Sequence, residues 1–156
     1  MSRNYRKLSM LICSGLVAGV LLSSGSISAE GGEIVVIVNA KSATKKLSKG
    51  DLRRIFQTAK STWDDGGQIT AVNLPEGNEL RQNFDKAVLG MDKDEVAKFW
   101  TDRKIRGGAR PPRKAPSTSA VAKLVAEDVG AIGYVKSSDL SATVRKVAVV
   151  HGNDVQ

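Results

Sequence analysis

The strongest pattern in the chain is Ile34-Val35-Val36-Ile37-Val38, five β-branched residues in a row. A run without polar alternation predicts a strand covered on both faces. Leu47-Ser48-Lys49-Gly50-Asp51-Leu52 has the form of a helix start. Ser48 can cap, Asp51 stands three residues on, and Leu47 and Leu52 are spaced as a hydrophobic staple. Leu52, Ile55 and Phe56 continue as a short apolar face. Trp63-Asp64-Asp65-Gly66-Gly67 predicts a turn, and Ile69 to Asn73 a second strand. Leu74-Pro75-Glu76-Gly77-Asn78 leads into a helix capped by Asn78, with Leu80, Phe84, Ala87 and Val88 on one face and Gly90 at its end.

Asp92 and Glu95 form a second cap pair, Met91 and Val96 a second staple, and Val96, Phe99 and Trp100 are expected to face the core. Arg106 to Pro116 holds two Gly, three Pro and four basic residues, and reads as a loop. Ser117 or Ser119 starts a fourth helix, with Val121, Leu124 and Val125 inward. Ala131 to Val135 is a third strand, Ser137 to Leu140 one helical turn, and Val144 to Val150 a last strand. Four strands alternating with four helices predict an α/β fold: one lobe, a mixed sheet flanked by helices in layers.

Upstream of the first strand the pattern changes. Arg3, Arg6 and Lys7 precede an uncharged stretch from Leu8 to Leu22, 15 residues long and short of the roughly 20 that span a bilayer. Small residues follow, ending in Ile27-Ser28-Ala29. This is the pattern of a cleavable secretory signal over residues 1–29, with the domain occupying 30–156 and the protein periplasmic or otherwise exported. The competing reading, an uncleaved anchor, is disfavoured because the small-residue site follows the apolar run directly. Cys13 lies inside the segment behind the bulky Ile12, so lipidation is not expected.

The full chain has 156 residues, 24 basic against 16 acidic, and a net charge of +8. Removing the signal takes away three cations and no acid. The export signal, not the charge, argues against a nucleic-acid partner. One Cys and one His exclude a Cys/His zinc cluster and a disulfide framework. Asp64–Asp65 and Asp92–Asp94 occupy turn or cap positions, and His151 lies in a polar tail. The sequence contains no nucleophile elbow, phosphate-cradling Gly-rich loop or metal-ligand spacing. No enzymatic activity, cofactor or metal is therefore expected.

The order of motifs resembles a known family. Leu47-Ser48-x-x-x-Leu52-x-x-Ile55-Phe56, then Trp63-Asp64-Asp65, Ile69-x-x-Val72, a helix with Phe84, and Gly130-Ala131-Ile132-Gly133-Tyr134-Val135 resemble the substrate-binding proteins of phosphate ABC transporters, in the type 2 periplasmic binding protein superfamily. The resemblance covers residues from about 34 to 140. It implies one α/β lobe of that fold, a solute-binding role, phosphate or another small anion as ligand, and an ABC permease as partner. Full-length members have two lobes that close on phosphate, and this chain matches the later part of such a protein, as a one-lobe short form. A homodimer that rebuilds the cleft is the oligomer to look for. The chain departs from the family's phosphate-holding pattern before the Phe84 helix. Leu74 stands where the family has Arg, and Asn78-Glu79-Leu80 replaces Ser-Gly-Thr.

Two candidate sites remain. Gly77, Asn78 and Arg81 mark a helix start, where free N–H groups attract anions. The plainer alternative is an ordinary Asn cap beside a surface Arg. Arg106, Arg110, Arg113 and Lys114 sit in a stretch from 103 to 114 with six cations and no acid. That loop either meets an anionic surface or envelope protein partner, or serves as a solvated, solubilising segment.

Overall fold

The computed structural model describes residues 33–152 and 154–156, so the 1–29 signal and Cys13 lie outside the described residues. The elements run in the order β1 (Ile34–Asn39), α1 (Lys49–Phe56), β2 (Thr70–Asn73), α2 (Glu79–Phe84), α3 (Lys93–Ile105), β3 (Arg113–Lys114), α4 (Thr118–Glu127), β4 (Ala131–Lys136), β5 (Val144–His151) and β6 (Asp154–Val155). They build a mixed α/β unit around one six-stranded sheet of order β3-β2-β4-β1-β5-β6. All six residues of β1 are buried, as its unbroken apolar run predicts. β1 pairs antiparallel with both β4 and β5, while β2 runs parallel to β4 and to β3. Among the described residues no helix is long and apolar enough to cross a membrane.

The helix starts follow local chemistry. Ser48 and Asp51 form a reciprocal capping box at α1, and Asp92 and Glu95 form another at α3. Asn78 caps α2 and Ser117 caps α4. The Ser48 hydroxyl and Arg54 hold the Asp51 carboxyl down to about 2. At the far end of α4, the Asn39 amide donates to the carbonyls of Val125 (3.0 Å) and Ala126 (2.8 Å), so the last residue of β1 closes that helix.

Several elements differ from the sequence expectation. Arg113 and Lys114 are strand, not loop: Val72 and Asn73 on β2 offer them a parallel ladder at the sheet edge. No β-branched residue announces so short a strand. The chain also turns back after β5, where Gly152 has φ 54, and β6 pairs antiparallel with β5. His151 therefore ends a strand, and its Nε2 lies 3.2 Å from the Glu33 carboxylate. Residues Asp85–Leu89 form a π-turn continuing α2, closed by Gly90 at φ 72. Of the three α3 residues expected in the core, only Val96 is buried. Phe99 and Trp100 stay half-exposed, packed edge to face at 4.9 Å.

The core is tied by three rings. Phe84 of α2 stacks on Tyr134 of β4, with centroids 3.9 Å apart and planes 6° from parallel, and Phe56 of α1 meets Phe84 edge-on at 4.7 Å. Gly130 and Gly133 in the β4 motif are there for close approach. A Cβ on Gly130 would strike the Gln68 carbonyl, and one on Gly133 would strike the Val121 side chain of α4. Val121 is fully buried and stiff, and cannot swing away. Gly133→Ala should therefore destabilise the fold by about 1–3 kcal/mol through overpacking. Urea unfolding of the variant beside wild type measures this.

Candidate functional site

The turn between β2 and α2 and its surroundings carry the chemistry. The Asn78 N–H donates to the Pro75 carbonyl (2.9 Å), and the Asn78 side-chain oxygen accepts from the Arg81 N–H (3.3 Å). Gly77 is exposed beside them. Arg81 is not a surface residue: it is 4% exposed. Its Nε donates to Asp85 Oδ2 at 2.5 Å and its Nη1 to the Leu74 carbonyl at 3.0 Å. Leu74 is itself core. The spacing i, i+4 places Arg81 and Asp85 one above the other on the inner side of α2 and its π-turn.

Burial dominates the electrostatics of this pair. It pushes the Asp85 carboxyl up to about 6, against the opposing charge of Arg81. Among the described residues Asp85 Oδ1 has no hydrogen-bond partner, which adds to the cost of its charge. Nearby, the Tyr134 hydroxyl donates to Asn73 Oδ1, and burial raises the phenol well above its ordinary range, keeping it a donor.

Arg81 also lines a groove of about 700 Å³. Asn73 and Arg81, both buried, form its floor; Trp100 and Lys104 of α3 form one wall, and Arg110, Pro111 and Pro112 the other. Lys114 and Glu76 face each other across the rim at 2.8 Å. Asn78 lies elsewhere, in a cavity of about 520 Å³ between the starts of α2 and α4, lined also by Ser117, Lys136 and Asp139. Asn78 and Arg81, expected to form one anion site with Gly77, thus open onto different cavities, and Gly77 lines neither. Of the basic loop, Arg110 and Lys114 reach the groove, whereas Arg106 closes α3 and Arg113 lies on the other side of β3.

Sequence reasoning missed Asn73 and Asp85 as site residues, assigned Trp100 to the core, and counted Lys104 only as one of the six cations in the 103–114 stretch. Trp100 and Lys104 are four apart on a helix with one buried position, and that spacing was the available signal. Among the described residues no group of three or more His, Cys, Asp or Glu could hold a metal ion.

No protein-family model matches the chain. The phosphate-binding protein PstS of Bacillus subtilis is 32% identical over 108 residues, 67% of this chain and 31% of that protein. Among solved structures, an ABC-type phosphate transport receptor from Vibrio cholerae superposes with a TM-score of 0.62 at 18% identity, over 74% of this chain and 46% of that one. A Clostridium perfringens protein assigned as a phosphate ABC transporter substrate-binding protein, solved with bound phosphate, gives a TM-score of 0.61 at 19% identity, over 74% and 45%. The fold is shared with these solved structures over about three quarters of this chain. In sequence and fold together the chain resembles the phosphate-binding members of ABC transport systems. It spans about a third of the curated relative and under half of each solved structure.

The buried pair gives a stability prediction with a defined sign. Asp85 has a higher pKa folded than unfolded, so its contribution is fully present below the unfolded value of 3.8 and is lost as pH rises through about 6. Arg81→Leu removes the one cation opposing that cost. The variant should lose about 3 kcal/mol at pH 7, where an unpaired carboxylate is buried, and recover part of it at pH 5. Urea unfolding at the two pH values measures both effects.

Proposed function

We propose that this protein is an exported, non-enzymatic binding component of the solute-binding-protein type, whose ligand is a small anion such as phosphate and whose transport partner is an ABC permease. The observation that carries the reading is the joint resemblance, in sequence to one phosphate-binding protein and in fold to several. The anion contacts proposed at the α2 start are Gly77 and Asn78, with the Arg81 guanidinium on the groove side of the same helix. Their polar groups are largely engaged within the protein: the Asn78 N–H by Pro75, its side chain by the Arg81 N–H, and the guanidinium by Asp85 and Leu74. Glu79 adds a negative charge in the first turn.

Inorganic phosphate should accordingly bind weakly. An anion that faces water on one side gains little from nearby charges. Calorimetry of the exported protein against phosphate should give a dissociation constant weaker than micromolar, that is, less than about 8 kcal/mol of binding free energy. A micromolar or tighter constant would show that the internal contacts yield to the ligand, and a dimer that completes the site would then be sought. The basic-loop reading, with an anionic surface as partner, is less well supported, because Glu76 already answers Lys114 and Arg110 lines a groove.

Export is proposed on the sequence of residues 1–29. The protein isolated from outside the cytoplasm should begin at Glu30. Mass spectrometry finding the Met1–Ala29 segment intact would favour the anchor reading.

A further inference from the structure

We propose that the groove between α3 and the segment 108–112 is a binding site for a small organic phosphate: a monoester whose ring or apolar body lies against Trp100, Pro111 and Pro112 and whose phosphate is held by Lys104 and Arg110 over Arg81. The inference deepens the binding role proposed above by naming a ligand class and a place for it away from the Asn78 cavity.

Size is the first argument. A groove of about 700 Å³ lies within the roughly 300–1,000 Å³ typical of sites for organic ligands, and inorganic phosphate alone leaves most of it filled with water. Charge is the second. Four cations line the groove, Arg81, Lys104, Arg110 and Lys114, against the single carboxylate of Glu76. Asp85 answers Arg81 from behind and Glu76 answers Lys114 at the rim. No ion pair to Lys104 or Arg110 occurs among the described residues. Two uncompensated positive charges therefore remain, which matches a phosphate monoester dianion better than a carboxylate.

Apolar shape is the third argument. Trp100 is half-exposed on a helix whose one buried residue is Val96, and Val96 and Ala97 extend the same wall. The ring is held in place: Phe99 packs against it at 4.9 Å, and the Arg103 guanidinium sits 5.9 Å from it while donating to the Gln57 carbonyl at 2.6 Å. Pro111 and Pro112 stiffen the opposite wall. A fixed aromatic face opposite prolines suits a flat body, and pre-organised walls lower the ordering cost of binding.

The test is calorimetry of the exported protein with phenyl phosphate, inorganic phosphate and phenol in parallel. Phenyl phosphate should bind at least about tenfold more tightly than either fragment and weaken as salt is raised. The exposed pair Lys104→Gln/Arg110→Gln should lose that binding with an unchanged circular dichroism spectrum. Trp100→Ala should reduce the preference for phenyl phosphate over inorganic phosphate. Equal binding of phenyl phosphate and inorganic phosphate, unaffected by the double variant, overturns the groove inference while leaving the binding role intact. No binding of phenyl phosphate also overturns it, and the binding role then rests on the phosphate titration alone. If heparin binds through Lys104 and Arg110 and phenyl phosphate does not, the residues form a polyanion surface and the inference fails.

Discussion

The stack of Phe84 on Tyr134 is the contact on which the rest of this structure depends. It joins α2 to β4, and Phe56 extends it to α1. Aromatic pairs of this geometry add about 0.5–1.5 kcal/mol beyond the area they bury. Their larger effect here is positional. Phe84 ends α2, so fixing its ring fixes the rotation of the helix, and with it the inward direction of Arg81 less than one turn earlier. The Tyr134 hydroxyl reaches Asn73 at the end of β2. A buried hydroxyl without a partner costs about 1–3 kcal/mol, so the bond holds Asn73 in place as much as it satisfies Tyr134. Both floor residues of the groove are thus set by one aromatic cluster in the core.

The Arg81–Asp85 pair shows why burial outweighs sequence charge here. In a helix surface pair, i, i+4 spacing gives a few tenths of a kcal/mol. Buried, the same spacing carries a large desolvation cost for both ions, and the carboxylate bears it visibly. The pair is therefore a poor source of stability and a good source of orientation. It pins a guanidinium at the base of a groove, where a solvated side chain would sample many rotamers. Lys104 and Arg110, which make no ion pair among the described residues, line the same groove.

Much of the fold was legible because its local signals agree with one another. Ser48–Asp51, Asn78, Asp92–Glu95 and Ser117 each cap the helix they precede, and the β-branched run at Ile34 is buried throughout. What was not legible depends on partners distant in the chain. β3 is strand only because β2 lies beside it, and Arg-Lys between prolines carries no strand signal of its own. The direction of Arg81 follows from the packing of Phe84 on Tyr134, 50 residues away in the chain. Phe99 and Trp100 matched the period of a buried face, yet α3 lies on the outside of the unit, where period alone does not say what covers an apolar stripe. The candidate site suffered most, since its walls come from three separate segments.

The sheet edge and the groove are made by the same residues. An exposed edge strand invites pairing with another chain, and proteins blunt such edges with short strands, prolines and cations. β3 is two residues long, basic, and preceded by Pro111-Pro112. These features discourage a further strand on that side. They also place two rigid prolines and Arg110 opposite Trp100 and Lys104. With strand addition disfavoured at β3, the open surface nearby is suited to a small molecule that needs no backbone ladder. Of the cations close to this edge, Lys114 is answered by Glu76, while Arg110 makes no ion pair among the described residues and leaves a local excess of positive charge there.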